Sequence, residues 1–320
     1  MSAGGGKMRH AVIVAGPTAS GKSALAMGLA ARLGATVINA DSMQVYRELR
    51  IVTARPSEAD EAAVPHRLYG VRAAAEAGNA AWWRAAALAE MEACSGLPIL
   101  CGGTGLYLSA LVRGIADIPE PETWARAEAR GLVDEIGVAA LHARLMEADP
   151  VTAAGLRSTD GQRVARAWEV WRSTGRGLRN WQSDATPPSD WRFSVVLLDP
   201  PRDGLREAIA HRFNAMLEAG ALDEVRDLLA LRLDPGLPLM RALGVPELAA
   251  YLRDEIDLAA AVARANLATG QFIKRQATWF RGQKLADVSR VHTIHARIAG
   301  LAQFSEREWG GLLNFIQHDG

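Results

Sequence analysis

Four short apolar runs punctuate the chain, at residues 11–15 (AVIVA), 36–40 (TVINA), 98–101 (PILC) and 193–198 (FSVVLL). Each has the length of a buried strand, and helical stretches lie between them. The first of these stretches, residues 24–33, stops at Gly34, a residue suited to the left-handed C-cap of a helix. Strand and helix in alternation predict an α/β fold with a parallel sheet. From 117 to 190 the pattern is helical with no strand candidate. It opens on a Pro/Glu-rich stretch and closes on Asp184, Ala185, Thr186, Pro187 and Pro188. That composition predicts a helical insertion between sheet strands. The expected organisation is therefore a core in two parts, residues 1–116 and 191–320, with an insertion domain at 117–190. Behind the fourth strand, helices are expected over residues 205–218, 222–231 and about 258–280.

The first apolar run passes directly into Gly16, Pro17, Thr18, Ala19, Ser20, Gly21, Lys22 and Ser23, which open the first helix. Strand, glycine loop and helix in that order make a P-loop. The fold class is then a P-loop parallel-sheet core flanked by helices, with a helical insertion domain. Glycines let consecutive backbone N–H groups turn toward one anion, Lys22 adds positive charge, and the Ser23 hydroxyl is suited to hold Mg²⁺. The loop is built for a di- or triphosphate, and by itself it leaves ATP and an organic diphosphate equally open.

In such sheets ligands gather at the carboxyl ends of the strands. Here those ends carry the P-loop, then Asp41 and Ser42, then Gly102, Gly103, Thr104 and Gly105, so three polar loops converge on one crevice. A carboxylate at Asp41 suits proton abstraction or indirect support of Mg²⁺; the plainer alternative is an N-cap. The Thr104 loop is equally readable as a tight turn whose glycines meet a backbone need. The fourth run ends in Asp199 and imitates a Walker B segment, although a buried strand that merely ends in Asp reads as well.

Composition narrows the class. An apolar share of 49% over 320 residues supports a sizeable core. No run reaches membrane-spanning length, and the Gly-rich residues 1–10 read as a disordered start and not a signal peptide. Cys94 and Cys101 have no CxxC or Cys/His company and read as reduced core thiols in a cytoplasmic protein; His292 and His295 lack a partner cluster for a metal. Net charge is zero, yet residues 155–182 hold six arginines against Asp160 and Glu169, together with Trp168, Trp171 and Trp181. Arginine with interleaved aromatics suits a phosphate backbone and unstacked bases, and equally suits a helix with tryptophans packed inward and arginines solvated. Residues 274–290 hold five basic residues and one acid, a second candidate backbone contact.

Several segments together resemble one family: GPTASGKS at 16–23, DSMQVYR at 41–47, TARP at 53–56, CGGTGLY at 101–107, DGQRVARAWEV at 160–170 and KRQATWFR at 274–281. In that order they resemble the bacterial tRNA dimethylallyltransferases, also called tRNA isopentenyltransferases. The resemblance implies transfer of a dimethylallyl group from dimethylallyl pyrophosphate to N6 of adenosine 37, just 3′ of the tRNA anticodon, with the P-loop holding pyrophosphate and not ATP. It implies that Asp41 is the general base and that Thr104 stands beside the reacting centre. It further implies tRNA contacts at Asp41, Ser42, Met43, Gln44 and Thr104, at Gln162, Arg163, Val164, Ala165 and Arg166, and at Arg126. Arg212, within HRFNAML, matches an arginine facing the pyrophosphate. Members usually read TAKP where this chain has Arg55, an aromatic–basic pair where it has Val245 and Pro246, and often an arginine where it has Ala208. The expected cofactor is Mg²⁺ at Ser23, and the expected protein is a cytoplasmic monomer whose partners are tRNA and dimethylallyl pyrophosphate, with no membrane.

Three rivals remain against this reading: a small-molecule P-loop kinase, a nucleotide-dependent RNA-binding module without prenyl chemistry, and a prenyltransferase acting on free AMP.

Overall fold

The computed structural model of the protein describes residues 9–318. The expected disorder of the N-terminus lies largely outside them, at residues 1–8. Six strands form one parallel sheet: β1 Arg9–Ala15, β2 Thr36–Asn39, β3 His66–Arg67, β4 Pro98–Gly102, β5 Trp191–Leu198 and β6 Val291–Ile294. Their order across the sheet is β3-β2-β4-β1-β5-β6. The central strands are apolar on both faces because helices cover both, as parallel sheets require: β2 and β4 are buried along their whole length. The apolar pattern predicts neither β3 nor β6. The first has two residues, and the second, VHTI, carries a histidine beside Val196 of β5, so neither presents an apolar run.

The helices are α1 Lys22–Leu33, α2 Glu58–Ala63, α3 Ala80–Ala93, α4 Gly105–Arg113, α5 Thr123–Ala148, α6 Pro150–Ala153, α7 Gly161–Thr174, α8 Leu178–Gln182, α9 Arg202–Glu218, α10 Ala221–Ala230, α11 Val245–Leu252, α12 Leu258–Gly282 and α13 Glu306–His318. Gly34 does cap α1 in the left-handed conformation, φ 61°, its N–H donating to the Ala30 carbonyl. None of the described helices is long and apolar enough to cross a membrane.

The chain divides into two compact units, Met1–Val112 with Ser189–Gly320, and Arg113–Pro188. In the first, Val12, Val14, Leu25, Leu29, Ile99 and Val196 form the core beneath α1. Trp309, Leu312 and Ile316 of α13 close it. The second packs α5, which is broken at Gly137 (φ 80°), against α7 around Leu141, Leu145, Val164 and Trp168. Thr186 accepts from and donates to the backbone of Ile115, joining the two ends of that unit.

Candidate active site

β2, β4 and β1 are neighbours in the sheet, so the loops that follow them stand side by side. The turn after β2 is fixed first. Asn39, fully buried, accepts from the Asp41 N–H at 2.8 Å and donates to the carbonyls of Asp41 and Leu68 at 3.0 Å each. Its own carbonyl takes the indole N–H of buried Trp83 at 2.8 Å. Asp41 Oδ1 accepts from the Met43 N–H at 3.0 Å, so this carboxylate closes an Asx turn and caps no helix. Thr104 Oγ1 accepts from the Ser42 N–H at 2.9 Å and stands 3.3 Å from Ser42 Oγ, which ties the loop after β4 to the loop after β2. The glycines there serve close approach: a Cβ on Gly102 would lie 2.1 Å from the Ala40 backbone.

The P-loop is bound to α12 through Gln276, a buried side chain that accepts from the Thr18 N–H and donates to the Gly103 carbonyl, both at 2.9 Å. The Thr18 amide is thereby engaged by protein. Ala19 stands in the left-handed region at φ 64°, and Arg297 Nε donates to its carbonyl at 3.2 Å. Ser20 gives its carbonyl to the Ile298 N–H at 2.9 Å, and its buried hydroxyl has no partner. Lys22 Nζ reaches the Pro17 carbonyl at 3.4 Å, within a loop that begins at Gly16 and ends at Gly21 and Ser23.

A cavity of about 740 Å³ opens over these loops, lined by Thr18, Ala19, Gly21, Lys22, Ser23, Asp41, Ser42, Met43 and Gln44. From the other side come Arg212 of α9 and an apolar wall that includes Ile51, Val52, Ile209, Phe213, Met216 and Leu243. Burial lowers the Lys22 pKa, with Asp41 opposing the shift, and burial lowers that of Arg212 with Asp41 again opposing. Two half-buried cations and one carboxylate leave an excess of positive charge that suits a polyanion. An apolar wall in the same chamber suits a hydrocarbon attached to it. The Ser23 hydroxyl and Asp41 carboxylate fit a hard cation that completes its shell with diphosphate oxygens and water.

The remaining residues singled out in the sequence divide between the chamber and its surroundings. Asp199, the Walker B look-alike, is held by Arg281 of α12 through bonds of 2.8 and 3.1 Å, so its carboxylate is spent on a salt bridge. Gln44 gives its amide nitrogen to the carbonyls of Thr53 and Ala54 at 2.9 and 2.8 Å, leaving only its oxygen for a base edge. Arg55 does not line the cavity. Its guanidinium bonds the carbonyls of Tyr46 and Arg47 at 3.2 Å, which makes it a strut of the loop. Ala208 lines the chamber, and Val245 and Pro246 begin α11.

In the unit Arg113–Pro188, Gln162, Arg163 and Arg166 lie in the first turns of α7. Arg163 pairs with Asp160 at 3.4 Å and Arg166 with Glu169 at 3.7 Å. Arg126 pairs with Glu120 at 3.3 Å, and Ala165 packs against the core. Val164 is fully buried, so its side chain serves the packing of this unit. The tryptophans form no open stacking platform either. Trp168 is in the core, Trp171 packs against it, and Arg176 lies over the Trp181 ring at 4.6 Å.

Gln276 is hidden in the sequence by the charges around it, which draw residues 274–281 toward a backbone contact. A signal for it exists all the same. Ile273, Gln276, Ala277 and Phe280 share one buried stripe of α12, and a polar residue in such a stripe must find partners.

Comparison with known proteins bears directly on this geometry. Residues 44–283 match the family described as IPP transferase. The chain belongs to the IPP transferase family. It is 56% identical over 315 residues to a Granulibacter bethesdensis protein named tRNA dimethylallyltransferase, covering 97% of this chain and 99% of that one. An Acidiphilium cryptum protein of the same name is 58% identical over 311 residues, covering 96% and 95%. Among solved structures, the full-length tRNA isopentenylpyrophosphate transferase of Bacillus halodurans has a TM-score of 0.66 at 29% identity, over 98% of both chains. A eukaryotic dimethylallyltransferase captured acting on tRNA shares the fold, with a TM-score of 0.74 at 21% identity over 97% of this chain and 80% of that one. The expected parallel sheet flanked by helices, the expected family and the transferase class are borne out, and the kinase reading is not favoured.

Proposed function

We propose that this IPP transferase family member moves a dimethylallyl group from dimethylallyl pyrophosphate to N6 of adenosine 37 in tRNA and releases pyrophosphate. As an enzyme it is a tRNA prenyltransferase. The observation that carries the finer reading is Asp41, a carboxylate facing two half-buried cations, Lys22 and Arg212, in a chamber that also has an apolar wall. A kinase needs no hydrocarbon wall beside its phosphate loop.

The N6 amine of adenine is a poor nucleophile because its lone pair is delocalised into the ring. Asp41 accepts its proton as the new C–N bond forms at the allylic carbon. The C–O bond to pyrophosphate breaks in the same event, and the charge gathering on the leaving group is held by P-loop amides, Lys22 and Arg212. Mg²⁺, when bound at Ser23, supplies further neutralisation of the diphosphate. Thr104 holds the Asp41–Ser42 turn and places a hydroxyl beside it. The adenine must leave the anticodon-loop stack to reach this chamber, which costs little in a loop. Arg126, Gln162, Arg163 and Arg166 are the phosphate contacts of this reading, and the enzyme works as a cytoplasmic monomer.

Asp41→Asn tests the assignment. Its turnover falls by about 10² or more while tRNA affinity stays within several-fold. Near-normal turnover in that variant removes Asp41 from the mechanism.

A further inference from the structure

The apolar wall of the chamber includes a turn at residues 51–54 that belongs to no helix or strand. Such a segment has no ladder to hold it; beyond the turn's own bonds, Ala54 N–H to the Ile51 carbonyl and Arg55 N–H to the Arg50 carbonyl, its backbone groups need other partners. They are satisfied from two directions. Gln44 takes the carbonyls of Thr53 and Ala54. On the opposite side, Glu224 in the first turn of α10 accepts the N–H groups of three successive residues, Arg50, Ile51 and Val52, those of Ile51 and Val52 at 2.9 and 2.8 Å.

We propose that Glu224 is a positioning residue for the prenyl donor, setting through this turn how wide the hydrocarbon end of the chamber is. The proposal rests on the reading of the chamber as a prenyl-diphosphate pocket. A carboxylate taking three amide bonds is a strong, charge-assisted anchor, and it acts on the backbone of the two residues whose side chains line the wall. Behind Ile51 and Val52 the packing leaves room for a further methyl carbon, so it does not by itself hold them. A Cβ on Gly244 would stand 3.1 Å from Phe213 Cε2 and 3.5 Å from Val52 Cγ1, and one on Gly220 would stand 3.8 Å from Ile51 Cδ1. Ile51 and Val52 therefore keep their places only while the amides behind them stay docked. Glu224 itself is absent from the lining.

The experiment compares wild type with Glu224→Gln, Glu224→Asp and Glu224→Ala, using dimethylallyl and geranyl pyrophosphate with unmodified tRNA. Gln keeps the shape but presents an N–H₂ to one of the three amides, Asp is one methylene too short, and Ala removes the anchor. The donor KM rises about tenfold in the Gln variant, with kcat within about threefold. The ratio of geranyl to dimethylallyl kcat/KM rises in all three, and tRNA affinity is unchanged. Amide exchange quickens at residues 50–52 and not in the central strands. An unchanged donor KM with an unchanged donor ratio overturns the proposal, as does an equal loss of donor use, kcat and tRNA affinity, which marks a merely structural residue. If the Ala variant does not fold, the isosteric Gln variant decides. Failure of wild type to prenylate tRNA with either donor refutes the reading of the pocket instead, and is scored before any variant.

Discussion

The side chain of Asn39 holds the backbone of Asp41 from both ends, its Oδ1 accepting from the Asp41 N–H at 2.8 Å and its Nδ2 donating to the Asp41 carbonyl at 3.0 Å. One buried amide thus fixes where the carboxylate stands relative to Lys22 and Arg212. Trp83 fixes that amide's own backbone in turn, and Trp83 stacks on Tyr107 with ring centroids 4.6 Å apart.

On the proposed mechanism, Asn39→Ala lowers kcat by about tenfold while the donor KM changes little, because proton abstraction there depends on the placement of Asp41 and pyrophosphate binding does not. It also destabilises the fold by about 1–3 kcal/mol for each buried group left without a partner. Steady-state kinetics with urea unfolding of the same variant checks both. An unchanged kcat beside lowered stability would reduce Asn39 to a packing residue.

The half-buried Lys22 predicts a pH effect with a definite sign. Desolvation lowers its pKa from 10.5, so the charged form to which the proposed mechanism gives the pyrophosphate is lost at a lower pH than for an exposed lysine. As pH rises through that lowered pKa, kcat/KM for the donor falls, since this ratio reports the free enzyme. Lys22→Arg keeps its charge over the same range and lacks that alkaline limb. A pH profile of the two proteins distinguishes them.

The glycine loop after β1, the strand ends and the helical stretch that becomes the unit Arg113–Pro188 are legible in the sequence, because each is a local pattern of glycine, apolar run or period. What holds them is not. Gln276 lies 258 positions from Thr18 and 173 from Gly103. Glu224 is 172 positions from Val52. No local pattern carries a bond of that kind. Asp199 misleads in the opposite way: its local context imitates a metal-binding strand end, and only the fold reveals Arg281 across from it. β6 is hidden because it is only four residues long and His292 and Thr293 interrupt its apolar run.

The arginines of α7 carry a prediction about tRNA. Arg163 and Arg166 pair with acids within their own helix turn, and surface pairs of this kind are weak enough to be exchanged for phosphates. Changing both to Ala flattens the log–log salt dependence of tRNA binding by about one to two units, with turnover at saturating tRNA far less affected. An unaltered slope with unaltered affinity would leave them as solvated surface charges.

The central claim is that the electrophile is carbon and the acceptor is an exocyclic amine of tRNA. Unmodified tRNA incubated with the protein and labelled dimethylallyl pyrophosphate, then digested to nucleosides, tests it directly. The account predicts label in N6-dimethylallyl adenosine, mapped to position 37, with one pyrophosphate released for each group transferred. Label that stays in the donor, together with phosphoryl transfer from ATP to a small molecule, would contradict it.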